Sequence, residues 1–165
     1  MEIKNVEDKG WIKKYNNILT IILIVLIGVL LVQQLFCIST VSGNSMYPTL
    51  KNGQFVSVKS RNNKNINVND IIMFYPKNQH LFSDKHVKRV VAMPGDTVVI
   101  KEGFLYVNDK KIETDFPKMY DAGIASEPVE LKADEFFVLG DNRNASTDSR
   151  ETGAVKRENI IGVIR

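Results

Sequence analysis

The chain divides sharply by pattern. From Tyr15 to Leu50 there is no charged side chain, and within that window Ile18–Ile38 is long enough to cross ~30 Å of hydrocarbon as a helix. Its apolar centre is Ile21–Val32, and Gln33 and Gln34 weaken its far end. From Ser39 onward the pattern changes to short apolar runs broken by turn signals. Phe55–Val58, Ile71–Tyr75, Val87–Met93, Thr97–Ile100, Phe104–Val107, Phe136–Leu139 and Asn159–Ile164 read as strands. Pro94-Gly95-Asp96 and Lys101-Glu102-Gly103 read as tight turns. Asn108-Asp109 reads as a hairpin tip leading into Lys111–Glu113. Arg61–Asn65 is expected to be a polar loop and Asp115–Pro128 a long surface excursion, with no sustained helical period outside the apolar span. The expected fold is mostly β, an antiparallel sheet domain behind one N-terminal transmembrane helix.

A buried core helix is the rival reading of Ile18–Ile38, but a domain this small could hardly cover such a helix on all sides. Lys13 and Lys14 precede the span, and no positive charge follows until Lys51, which predicts a cytoplasmic N-terminus. Trp11 and Tyr15 suit the headgroup level. The expected organisation is a cytoplasmic segment 1–17, an anchor 18–38 and an extracytoplasmic domain 39–165. Basic residues followed by an apolar run also fit a cleaved signal peptide, for which Thr40-Val41-Ser42 offers a small-residue site. A lipoprotein signal fits less well, because Phe36 precedes Cys37 where a small residue is expected.

Composition narrows the chemistry. With 165 residues there is room for one domain plus an anchor, and a net charge of +3 without a basic-aromatic patch does not argue for nucleic acid. The single cysteine, Cys37, excludes an intramolecular disulfide. His80, His86 and Cys37 lack zinc-like spacing, and Asp70, Asp96, Asp141 and Asp148 read as turn residues rather than a metal site. No metal and no cofactor is expected.

The stretch that carries chemistry is Gly43-Asn44-Ser45-Met46-Tyr47-Pro48-Thr49-Leu50. A serine hydroxyl is a poor nucleophile unless a base removes its proton. Two later stretches offer partners: His86-Val87-Lys88-Arg89 with Pro94-Gly95-Asp96, and Gly140-Asp141-Asn142-Arg143 through Ser146-Thr147-Asp148-Ser149-Arg150. Together with the apolar span and Asp70–Phe74, they resemble the type I signal peptidases, membrane-anchored Ser/Lys proteases, in order and over nearly the whole chain. The resemblance implies that Ser45 is the nucleophile, Lys88 the general base and Ser146 a hydroxyl positioning the lysine amine. Lysine at the base position resembles the bacterial type rather than that of the endoplasmic reticulum. The resemblance gives Asp148 and Arg150 a part in shaping the site; simple surface pairing is the plain alternative. It further implies signal-peptide-bearing preproteins as substrates, cut after Ala-x-Ala, and residues like Met46, Leu50 and Val87 as linings of shallow pockets.

The chemistry agrees with this resemblance. A free lysine titrates near 10.4, so a lysine base must be desolvated, and Val87, Val90 and Val91 supply apolar surroundings. The Ser45 N–H is the first oxyanion donor. In part of the family a serine two residues earlier supplies the second; here Gly43 stands there, leaving a backbone N–H, Ser42 or a water. His86 lies two residues before Lys88, so on a strand the two face one region. It either lines the substrate cleft where relatives carry tyrosine, or as imidazolium couples activity to mildly acidic pH. Asp141, Asn142 and Arg143 are expected to brace their turn; a phosphate cradle is weakened by the lack of an obvious following helix. An extended substrate is expected to add to a strand edge.

Ile38 to Ser45 is seven steps, which holds the nucleophile within roughly 23 Å of the helix end at ~3.3 Å per residue. Val41 and Met46 are expected to dip into the lipid interface, and a monomer is expected. Asn69 and Asp109 stand where relatives carry glycine, and the ending at Arg165 is expected to leave the last strand frayed. The rival functions are a self-cleaving Ser/Lys protease of the repressor type, a binding module and a catalytically silent scaffold.

Overall fold

The computed structural model describes residues 3–35, 37–60, 65–76 and 84–165. His80 and most of the expected loop at Arg61–Asn65 lie outside them. Helix α1 runs Ile3–Leu35, and every side chain from Trp11 to Leu30 is exposed, with a mean hydropathy of 1.6 over that window. An apolar helix with none of this window buried is not a core helix, which leaves an anchor or a signal sequence. The helix takes in much of the expected polar segment and ends earlier than 38, because Cys37 and Ile38 belong to a strand.

The second unit spans Cys37–Arg165. Its strands are β1 (Cys37–Thr40), β2 (Phe55–Ser60), β3 (Ile71–Phe74), β4 (His86–Ala92), β5 (Thr97–Lys101), β6 (Phe104–Val107), β7 (Lys110–Lys111), β8 (Val129–Glu130), β9 (Glu135–Leu139), β10 (Val155–Lys156) and β11 (Ile160–Ile164). The short helix α2 is Ser149–Thr152. Among the described residues one sheet has the order β1-β2-β11-β3-β4-β9-β10 and a smaller one β7-β6-β5-β8, all pairs antiparallel. The apolar runs read from the pattern are these strands, within a residue or two.

Four expectations change. β11 is held on both edges, by β2 and β3, so the last strand is not frayed. It fits between them because Gly162 approaches the Lys59 carbonyl too closely for any Cβ. The excursion at 115–128 is not purely surface: Met119 and Ala125 are buried with Val98, Leu105, Leu131 and Phe137 in the core between the sheets. Val41 and Met46 are 6% and 1% exposed, packed with Leu50, Val56, Val58, Met73 and Ile164, and so cannot reach a lipid surface. Finally, α2 follows the Gly140 turn after all, capped by the Asp148 side chain, which accepts from the Arg150 N–H. Asn108 and Asp109 turn the β6–β7 hairpin with φ of 51° and 63°, and Asn69 takes the left-handed region with φ of 74°, as asparagine tolerates.

Candidate active site

Three segments converge on Ser45. The turn after β1 carries the serine, packed down by Met46 and Leu50, which sit in the core beneath it. Strand β4 brings Lys88 alongside. The turn after β9 closes the third side: the Asn142 N–H donates to the Ser45 carbonyl at 3.0 Å, and Asn142 Nδ2 donates to the Asn44 carbonyl at 3.2 Å. Lys88 Nζ donates to Ser45 Oγ at 2.9 Å and to the Val87 carbonyl at 3.2 Å. Lys88 is 5% exposed and has no salt bridge among the described residues. Burial pulls its pKa below the ordinary lysine value of 10.5, and the Asp148 carboxylate opposes that fall. A lysine brought toward neutrality beside an alcohol can take the alcohol's proton.

The turn that abuts this pair is built from buried ions. Asp148 accepts from Arg150 Nε and Nη2 at 2.9 Å each and from the Gly140 N–H at 3.0 Å. Arg150 also donates to the carbonyls of Asp121 and Arg143. This pair is buried rather than a surface contact, with side-chain exposures of 0% for Asp148 and 7% for Arg150. Arg89, the residue after Lys88, forms a bidentate pair with Asp141 at 2.8 and 2.7 Å. Gly140 is required sterically: a Cβ there would overlap Ser146 Oγ and lie 2.6 Å from the Ser45 carbonyl oxygen. Ser146 Oγ is buried and has no hydrogen-bond partner among the described residues, so it does not hold Lys88 in this arrangement.

The serine and lysine open into a cleft of about 650 Å³. Ser39–Asn44, Asp84–Val87, Ala145 and Thr147 line it together with the pair. Met46, His86 and Val87 line it, whereas Leu50 does not and belongs to the core. His86 is half-buried, its ring edge-on to Phe74 at 5.9 Å. Its pKa is lowered from 6.5, first by burial and then by Lys88, with Asp84 opposing. Strand β4 is paired to β3 over residues 71–74, but β9 pairs only with Arg89, Val90 and Ala92 of β4. Among the described residues, the β9-side edge of β4 at 86–88 has no strand partner beside the cleft. For the oxyanion, the Ser45 N–H has no intramolecular acceptor among the described residues. The Gly43 N–H is already committed to Asn52 Oδ1 at 3.0 Å.

A family model described as "signal peptidase, peptidase S26" matches residues 12–165. The chain belongs to the S26 signal peptidase family. Among its relatives it is similar to signal peptidase I S of Bacillus subtilis, 30% identical over 175 residues, covering 98% of this chain and 91% of that one. It is 37% identical over 136 residues to thylakoidal processing peptidase 1 of Arabidopsis thaliana, covering 74% of this chain and 39% of that one. It is 35% identical over 130 residues to a probable signal peptidase I-2 of Synechocystis, covering 74% and 58%. The matches thus span under two thirds of the length of these last two relatives.

Within this S26 chain the sequence did not single out Arg89, Asn142's hold on Ser45, or the cleft-lining Thr147, Asp84 and Lys85. Arg89 carries a signal in hindsight: a charge beside the base on a strand with Val90 and Val91 requires a carboxylate, and Asp141 in the Gly140 turn is one of the aspartates that could supply it. Thr147, Asp84 and Lys85 join the cleft through loop conformation, which leaves no period to read.

Proposed function

We propose that the chain is a membrane-anchored serine endopeptidase that removes signal peptides from exported preproteins after small residues, with Ser45 as nucleophile and Lys88 as general base. The observation that carries the reading is the 2.9 Å pair between the serine hydroxyl and a buried lysine with no carboxylate partner among the described residues. An extended preprotein adds to the open edge of β4 at 86–88 through main-chain hydrogen bonds. Its small side chains before the scissile bond face the Met46 and Val87 walls, where large ones overlap. Neutral Lys88 accepts the Ser45 proton as Oγ forms a bond to the scissile carbonyl carbon. The tetrahedral oxyanion is met by the Ser45 N–H; with Gly43 engaged by Asn52, the Ser42 hydroxyl or a water is left as the second donor. The Lys88 ammonium then protonates the leaving amine as the C–N bond breaks. Lys88 next takes a proton from water, whose oxygen displaces Ser45 from the acyl group, and returns that proton to Oγ. Ser146, whose buried hydroxyl has no hydrogen-bond partner among the described residues, is the group read as positioning Lys88. Asp148 and Arg150 keep the turn in place behind it.

The reading has the N-terminus in the cytoplasm, with Lys13 and Lys14 at that side, residues 39–165 outside, and the chain acting as a monomer. Only the chain between Leu35 and Ser45 separates the helix end from the nucleophile, and its length limits how far apart they can lie. The test is cleavage of an Ala-x-Ala preprotein by the detergent-solubilised full chain beside Ser45→Ala and Lys88→Met. Cleavage by the parent and neither variant is expected. Cleavage surviving in either would refute the assigned roles.

A further inference from the structure

The cleft does not end at the reacting pair. Ala145 and Thr147, which line it, also line a second hollow of about 420 Å³. Because the two hollows share Ala145 and Thr147, a chain lying along 39–44 and 84–87 and continuing past Ser45 has the second hollow open to it. At ~3.3 Å per residue, its next few residues reach the adjoining hollow. Resting on the function proposed above, we infer that this second hollow is the subsite for the first residues of the mature protein, and that it selects against acidic side chains there.

Its charges are unequal in what they present. Arg143 is 3% exposed, its guanidinium stacked 4.9 Å from the Phe116 ring centre. Arg150 is engaged by Asp148 and by main-chain carbonyls. Both cations are therefore sequestered. The acids are not: Asp121 and Glu151 are exposed, Asp121 Oδ1 accepts only the Gly123 N–H, and Glu151 makes no side-chain hydrogen bond among the described residues. An incoming side chain thus meets two carboxylates in front of two hidden guanidinium groups.

The hollow also has a fixed wall. Tyr120 is 91% exposed, yet its backbone is held, its N–H donating to Asn144 Oδ1 at 3.0 Å while Asn144 Nδ2 donates to the Lys118 carbonyl at 2.9 Å. An aromatic ring in water on a pinned backbone is a low-entropy platform for a peptide.

The experiment uses two preproteins identical except for Lys or Glu at residues two to four after the cut, with the detergent-solubilised full chain. The expected result is a kcat/KM about fivefold higher for the Lys form, shrinking with added salt. Glu151→Lys should bring the ratio to about one or below, and Tyr120→Ala should lower kcat/KM for both forms while leaving the ratio in favour of Lys. Equal cleavage of the two forms by the parent overturns the inference, and so does a preference that Glu151→Lys leaves intact. Cleavage of neither form by the parent would instead remove the functional reading, and the inference with it.

Discussion

Lys88 and Arg89 are neighbours on one strand, and the fold treats them in opposite ways. Arg89 meets a carboxylate with two parallel hydrogen bonds, 2.8 and 2.7 Å long. Lys88, 5% exposed, meets an alcohol and a carbonyl. A buried charge is retained when it is paired, and an unpaired one sheds its proton instead. Arg150 follows Arg89 in this, held by Asp148. Of these three cations, the one left without a carboxylate partner is the one whose neutral form the proposed chemistry needs.

The largest effect should come from removing that exception. Lys88→Met is expected to lower kcat/KM by at least about 10³-fold, measured by preprotein cleavage. The same variant is expected to be more stable. A lysine whose folded pKa is lowered binds fewer protons folded than unfolded, so it costs stability below its folded pKa. The cost disappears as pH rises from that value toward 10.5. The Tm gain of Lys88→Met should therefore be present at neutral pH and fade in alkali; a loss of Tm at neutral pH would contradict it.

Breaking a paired ion should do the reverse. Asp148→Ala strands Arg150 and frees the Gly140 N–H, and about 3–5 kcal/mol of stability should be lost in denaturant titration. Next in size, Gly140→Ala sets a Cβ against Ser146 Oγ and the Ser45 carbonyl. An overpacking cost of about 1–3 kcal/mol is expected, with a drop in kcat exceeding any change in KM because the nucleophile's own backbone must shift. The smallest effect belongs to His86→Tyr. With its pKa lowered, His86 is neutral above about pH 6.5. Above that pH the rate profiles of the variant and parent should superimpose; a profile displaced there would restore a charge coupling between His86 and Lys88.

Much of this was legible in the chain because it depends on local pattern. Val87 to Ala92 with the following Pro94-Gly95 reads as a buried strand and turn, and that strand carries Lys88. Burial of the amine follows from the same valines. What escaped depends on contacts distant in sequence. That Val41 and Met46 turn inward is decided by Val56, Val58 and Ile164, which arrive later in the chain. That β11 is central rather than frayed is decided by β2 and β3 closing on Gly162. Asp115–Pro128 shows no period because it packs through single residues, Met119 and Ala125, rather than a face. The Gly43 N–H was open as an oxyanion donor until Asn52, nine residues on, took it.

The most direct measurement is the titration of Lys88 itself, followed by the NMR shift of its labelled side chain in the full-length protein and set beside the pH dependence of kcat/KM. A midpoint below 10.5, coinciding with the rise of kcat/KM as the amine loses its proton, is the expected result. A Lys88 that keeps its proton to the ordinary lysine value while cleavage proceeds at neutral pH would contradict the account.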